Sequence, residues 1–194
     1  MLIKNEFQVA APIDKVWQFF GDIPQVAACL PGTELTDDLG GEKYEGRVAV
    51  RMGPVRLRFA GKADITERDE AAKRIVVTAA GAEEKGRGQA SMVVTATLAP
   101  AGRGTKVSVA QDLQLSGAAA QYGRGMIADV SAVLMRDFSV NLADRIDRAE
   151  RGETVTGPAT AASPASGFTL GMRAALMALR RVFRRFFVPY QAAS

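Results

Sequence analysis

Residues 107–146 read VSVAQDLQLSGAAAQYGRGMIADVSAVLMRDFSVNLADRI, and the period of their apolar side chains changes part-way along. Val107, Val109, Leu113 and Leu115 keep one parity, as a strand with one buried face requires. Beyond Ser116 the spacing becomes helical, with Met126, Val130, Val133, Leu134, Phe138, Leu142 and Ile146 on one stripe. No proline interrupts Ala118 to about Arg151, and Ser116 is a suitable N-cap. The pattern predicts a helix of about 30 residues, ~45 Å long, enough to lie across a whole sheet.

Upstream, the chain reads as hairpins. Leu2–Ala10 is a predicted strand, and Pro12 suits the first turn of a helix carrying Ile13, Val16, Trp17 and Phe20. Asp22 and Pro24 break that helix and start a second, ending near Cys29-Leu30-Pro31-Gly32. Strand signals follow at Tyr44–Val50, Val55–Phe59, Ile75–Thr78 and Met92–Leu98, with turns at Gly53-Pro54 and Ala101–Gly104. The order is one strand, two short helices, about six further strands and one long helix. It predicts an α+β fold in which a curved antiparallel sheet of about six to seven strands wraps the long C-terminal helix. Two concave apolar faces that meet imperfectly leave an internal hydrophobic cavity.

Composition divides the 194 residues into three parts: a globular domain at 1–151, a linker at 152–167 and a tail at 168–190. The linker, GETVTGPATAASPASG, cannot bury enough apolar surface to order itself, and its root-mean-square span is roughly 20–25 Å. Residues 1–157 hold 20 Lys and Arg against 21 Asp and Glu, a sum of −1. Residues 158–194 hold five arginines and no acid, so the overall charge of +4 belongs to the tail. A nucleic-acid-binding body is disfavoured, because it has no cation excess to replace phosphate counterions. The absence of histidine excludes a Ser-His-Asp triad and imidazole ligation. The lone Cys29 excludes an intrachain disulfide and a thiolate zinc cluster. It fits a reducing cytosolic setting, and no secretory signal peptide is visible.

At 100° per residue, tail residues Arg173, Arg180, Arg181, Arg184 and Arg185 share one arc. Phe168, Met172, Leu176, Leu179, Phe183, Phe186 and Phe187 gather on another, though Leu170 and Met177 intrude on the basic arc. A basic amphipathic helix of this kind lies in a membrane interface with its arginines at the headgroups. Its longest arginine-free stretch, Ala174–Leu179, is far short of the ~20 residues needed to span. A partner's acidic groove or docking on its own domain are the competing placements.

Several segments together resemble the G-subunit family of carbon monoxide dehydrogenase, within the START-like (SRPBCC) helix-grip superfamily. The opening Phe7-x-Val9-x-Ala11-Pro12-x-x-x-Val16-Trp17-x-Phe19-Phe20-x-Asp22 is followed by Val26-x-x-Cys29-x-Pro31-Gly32. Further matches are Tyr44-x-Gly46, Gly53-Pro54-Val55, Phe59-x-Gly61, Gly86-x-Gly88-x-Ala90 and Gly117-x-Ala119, covering roughly residues 1–150. The resemblance implies a helix-grip fold around a hydrophobic cavity, and association with a molybdenum hydroxylase of the carbon monoxide dehydrogenase type. It carries no catalytic signature.

Candidate lining residues for the cavity are Trp17, Phe20, Tyr44, Phe59, Met92, Met126 and Val130, whose aromatic and thioether groups adapt to a lipophilic guest. The expected guest is a quinone, menaquinone or ubiquinone, with no covalent cofactor and no metal. The expected partners are the molybdenum hydroxylase, an anionic membrane surface at the inner face of the cell membrane, and the lipophilic small molecule. Recruitment or assembly of the enzyme without any ligand is the first alternative. A cyclase- or hydrolase-like enzyme is the second, and would have to use Asp112, Tyr44 or Tyr122. Cys29 reads as a buried structural thiol, Asp37-Asp38 and Glu83-Glu84 as solvated turns, and Arg56 and Arg58 as an exposed strand face able to meet a partner's acids.

Overall fold

The computed structural model describes residues 1–153. The chain divides into units at 1–159 and 160–194, and only the first is described below. The tail expected at 168–190, and the linker beyond residue 153, lie outside the described residues.

Seven antiparallel strands form one sheet in the order β1-β7-β6-β5-β4-β3-β2. They are β1 (Leu2–Val9), β2 (Thr33–Gly40), β3 (Lys43–Met52), β4 (Val55–Asp69), β5 (Arg74–Glu83), β6 (Gln89–Ala101) and β7 (Gly104–Leu115). Helices α1 (Ile13–Phe20) and α2 (Ile23–Cys29) follow β1, and α3 (Arg124–Glu150) closes the domain. From β2 to β7 every strand pairs with its neighbour in sequence, while β1 crosses to β7. The α+β class, the curved antiparallel sheet, the two short helices and the long C-terminal helix are as the sequence predicts.

Strand β2 carries no strand signal of its own. It is a mostly exposed edge with bulges near Thr36 and Leu39, and it contains Asp37 and Asp38, which read as turn residues in the sequence. Helix α3 starts later than expected. Ser116 does not cap it; its hydroxyl accepts the Gln89 N–H at 3.1 Å, and a short 3-10 turn at Gly117–Gln121 intervenes. The buried side of α3 is also rotated. Ile127, Ser131, Phe138, Leu142, Arg145 and Ile146 are buried, whereas Met126 and Val133 are exposed. Polar Ser131 and Arg145 occupy core-facing turns of the helix, which breaks the apolar stripe in sequence.

Packing concentrates at the two ends of α3. At one end Val9, Val16, Phe20, Leu98, Val107, Phe138, Leu142 and Ile146 form a buried cluster, with Phe7 and Phe20 edge-on to Phe138. Asn141 donates to the Cys29 carbonyl at 2.9 Å and Arg145 to Gln25 Oε1 at 2.6 Å, tying α3 to α2. At the other end Ile3, Met52, Leu57, Ala119 and Ile127 form a smaller cluster. Cys29 is fully buried, and burial pushes its thiol up to about 12, so it is an inert structural thiol.

Glu83 is not a solvated turn residue. It is buried, and its carboxylate accepts from the Lys85 and Arg87 backbone N–H groups and from the Arg87 guanidinium at 2.6 Å. The Arg87 hydrogen bonds, helped by those backbone donors, hold its pKa down to about 2. A carboxyl depressed on folding stabilises above its ordinary pKa of 4.5, and that contribution disappears as pH falls toward 2. Wild-type protein is therefore expected to lose urea resistance between pH 5 and 2.5. Glu83→Gln should be weaker at pH 6 and show a shallower decline; parallel curves for the two proteins would refute this.

Candidate functional site

The space between the sheet and the middle of α3 is hollow. Its volume is about 450 Å³, and its wall is overwhelmingly apolar. The cause lies in two cross-strand rows. One runs Leu35, Gly46, Gly61, Gly81, Ala90 and Leu115, each directly opposite the next. The adjacent row runs Tyr44, Ala63, Ala79, Met92 and Leu113. Glycine and alanine in the centre of both rows leave the sheet floor bare where α3 passes over it with Val130, Ser131 and Leu134. The packed clusters at either end prevent the helix from settling into the gap. Interiors normally fill such space, so a hollow of this size is a built feature.

Gly61 has a second reason to be glycine. A Cβ there would stand 2.1 Å from the Ala80 carbonyl oxygen and 2.5 Å from Gly81 Cα. Strands β4 and β5 approach too closely at this row for any side chain. Gly46, Gly61 and Ala90 belong to three separate sequence segments, yet register brings them onto one line.

Of the candidate lining residues, Phe20, Tyr44, Phe59, Met92 and Val130 stand on the wall. Trp17 does not. It packs on the outer side of the larger cluster, with Lys73 Nζ 5.3 Å from its ring centroid. Met126 is 43% exposed and points away, because Ile127 takes the inward place. Ile23 and Ala27 from α2 and Leu30 just after it complete one end, along with Phe20.

The few polar groups on the wall are placed individually. Asn5 donates to Ser131 at 3.1 Å, and Ser131 donates to Gln111 Oε1 at 3.0 Å; both Ser131 and Gln111 face the hollow. The Thr33 hydroxyl is buried on the wall with no hydrogen-bond partner. Burial, with help from Asp38 and Glu42, pushes the Tyr44 phenol up, so it stays a protonated donor at neutral pH. None of these groups was legible in sequence except Tyr44. Thr33 and Gln111 emerge only once register puts them on the inner face.

The acid–base candidates do not converge. Asp112 is exposed on the outer side of β7, and Tyr122 packs with the smaller cluster off the cavity wall. Among the described residues no group of three His, Cys, Asp or Glu side chains could hold a metal ion.

Residues 6–147 match the sequence profile of the G subunit of carbon monoxide dehydrogenase (CoxG). The chain belongs to the CoxG family. No curated protein matches it. Among solved structures, this CoxG-family chain is similar to a conserved protein from Geobacillus kaustophilus, with TM-score 0.68 and 17% identity over 77% of this chain and 97% of that one. A Thermus thermophilus protein gives TM-score 0.56 and 16% identity over 77% and 99% of the two chains. The Zhui aromatase/cyclase of a Streptomyces species gives 0.52 and 16% over 78% and 96%. At these identities the likeness establishes the helix-grip fold and nothing about chemistry.

Proposed function

We propose that this CoxG-family chain is a non-catalytic, membrane-associated accessory protein of a carbon monoxide dehydrogenase-type molybdenum hydroxylase, and that it carries a lipophilic small molecule, a quinone, in its cavity. The observation that carries the proposal is the apolar hollow of about 450 Å³ floored by glycine and alanine. That volume falls in the range of about 300–1,000 Å³ typical of small-molecule sites. A quinone suits the wall: its ring and tail match the apolar floor, and its oxygens match the Thr33 hydroxyl, the Tyr44 phenol and the Gln111 amide. An oxidase-type enzyme in water must pass electrons to a pool dissolved in lipid, and a carrier on a tether of roughly 20–25 Å bridges that distance. The basic amphipathic sequence at 168–190 supports the membrane placement.

The test is organic extraction of the purified full chain followed by mass spectrometry, with added menaquinone and ubiquinone as titrants. Quinone is expected in the extract or in a saturable complex. The full chain should pellet with vesicles containing anionic lipid, and a chain ending at residue 157 should not. Protein that emerges empty and takes up neither quinone removes the carrier role. If it still draws the enzyme to vesicles, it is a recruitment factor.

A further inference from the structure

We infer that the outer face of the β3–β4 hairpin is a docking groove for an extended acidic segment of a protein partner. This does not depend on what the cavity holds. On that face Arg51 stands directly opposite Arg56, Arg58 opposite Ala49, and Arg47 opposite Ala60. Like charges placed directly across a strand pair destabilise a sheet. The body as a whole sums to −1, so this concentration is local rather than a general excess.

Elsewhere on the sheet several cations have acidic partners, exposed Lys62 with Glu45, exposed Arg74 with Glu67 and half-buried Arg68 with Glu42, while exposed Lys4 and Lys43 stand singly without an ion pair among the described residues. Arg47 meets Glu84 at 3.4 Å. Arg51, Arg56 and Arg58 make no ion pair among the described residues and are exposed. Ala49 and Ala60 keep the floor low between the arginines, giving a groove of about 710 Å³ with Arg47, Arg56 and Arg58 along it.

The shape selects the class of partner. Arg56 and Arg58 are two residues apart on one strand, a repeat of about 7 Å, which equals the spacing of alternate side chains on another extended chain. A segment with acids at every second residue therefore presents its carboxylates in step with guanidinium groups that can bind each of them bidentately. Glu34 and Glu84 flank the groove. They would face the headgroups of a flat anionic bilayer, whereas a narrow peptide passes between them.

The experiment uses the full chain with Arg180→Gln, Arg181→Gln, Arg184→Gln and Arg185→Gln, so that the tail does not compete. The probes are a labelled ten-residue peptide of alternating Glu and Thr, a block peptide of the same composition, and phosphatidylglycerol vesicles. The alternating peptide is expected to bind more tightly than the block peptide, and more weakly as salt is raised. Adding Arg51→Gln, Arg56→Gln and Arg58→Gln should weaken the alternating peptide by at least about tenfold, since several ion pairs are lost together. The same changes should leave the urea midpoint equal or higher, because a repulsive pair has been removed. Unchanged peptide affinity overturns the inference. So does vesicle binding by the tail variant that disappears with the three hairpin arginines, which would assign the face to lipid.

Discussion

Val130→Trp is expected to abolish uptake of a lipophilic guest while leaving the fold intact. Val130 is half-buried on the inner side of α3, next to Phe59, Leu113 and Leu115 at the cavity wall. An indole brings 150–250 Å² of apolar surface. The wall of the same cavity includes Gly61, Gly81 and Ala90, which have at most a methyl group to displace. The ring therefore fills empty volume instead of overpacking a full core. Affinity for an added naphthoquinone should fall by at least about tenfold, and the urea midpoint should hold or rise. Val140→Trp is the matched control, because Val140 is 62% exposed on the same helix. Its binding should equal wild type. A Val130→Trp protein that binds as well as the control would place the guest elsewhere.

Gly61→Ala is expected to be the most damaging single-methyl change in the sheet. The new Cβ would sit 2.1 Å from a backbone oxygen on β5, and neither strand can yield without disturbing its ladder. A loss of about 3 kcal/mol is expected, at the upper end of overpacking effects. At slopes of about 1–3 kcal/mol/M that moves the urea midpoint down by roughly 1–3 M. Gly125→Ala is the contrast. Gly125 lies in α3 with nothing within 4 Å of its built Cβ, and alanine there should stabilise by up to ~1 kcal/mol. If Gly61→Ala and Gly125→Ala behave alike, the close approach of β4 and β5 is not what holds residue 61 to glycine.

The fold was largely legible because the change from a two-residue to a helical period survives the polar residues that interrupt α3. Strands β3 to β7 alternate in step with their buried faces, and α3 repeats at helical spacing behind them. Legibility failed where one residue serves another master. Ser116 looks like a cap but its hydroxyl is taken by Gln89, so the helix waits until Arg124. Met126 is more conspicuous than Ile127, yet the helix turns Ile127 inward. Trp17 is the largest side chain on α1, and its indole lies under Lys73 on the flank of the core. Strand β2 is mostly polar because it is an exposed edge, so hydrophobic alternation could not reveal it. The cavity floor was hidden for a different reason. Gly46, Gly61 and Gly81 become one line only when the register of two strand pairs is known, and register is not written in any one of those segments.

The crossing of β1 to β7 sets an order of events for the newborn chain. Among the described residues, 2–9 ladder only with 105–112, so this strand waits through the synthesis of β2 to β6 for its partner. Hairpins from β2 onward can zip locally as they appear, since each strand meets its immediate successor. Meanwhile β1 must idle beside the ribosome with Ile3, Phe7 and Val9 unsheltered. The vault is roofed later still, when 124–150 coils over it. Loading during assembly, before that roof is laid, would spare an oily passenger the need to force a way in afterwards.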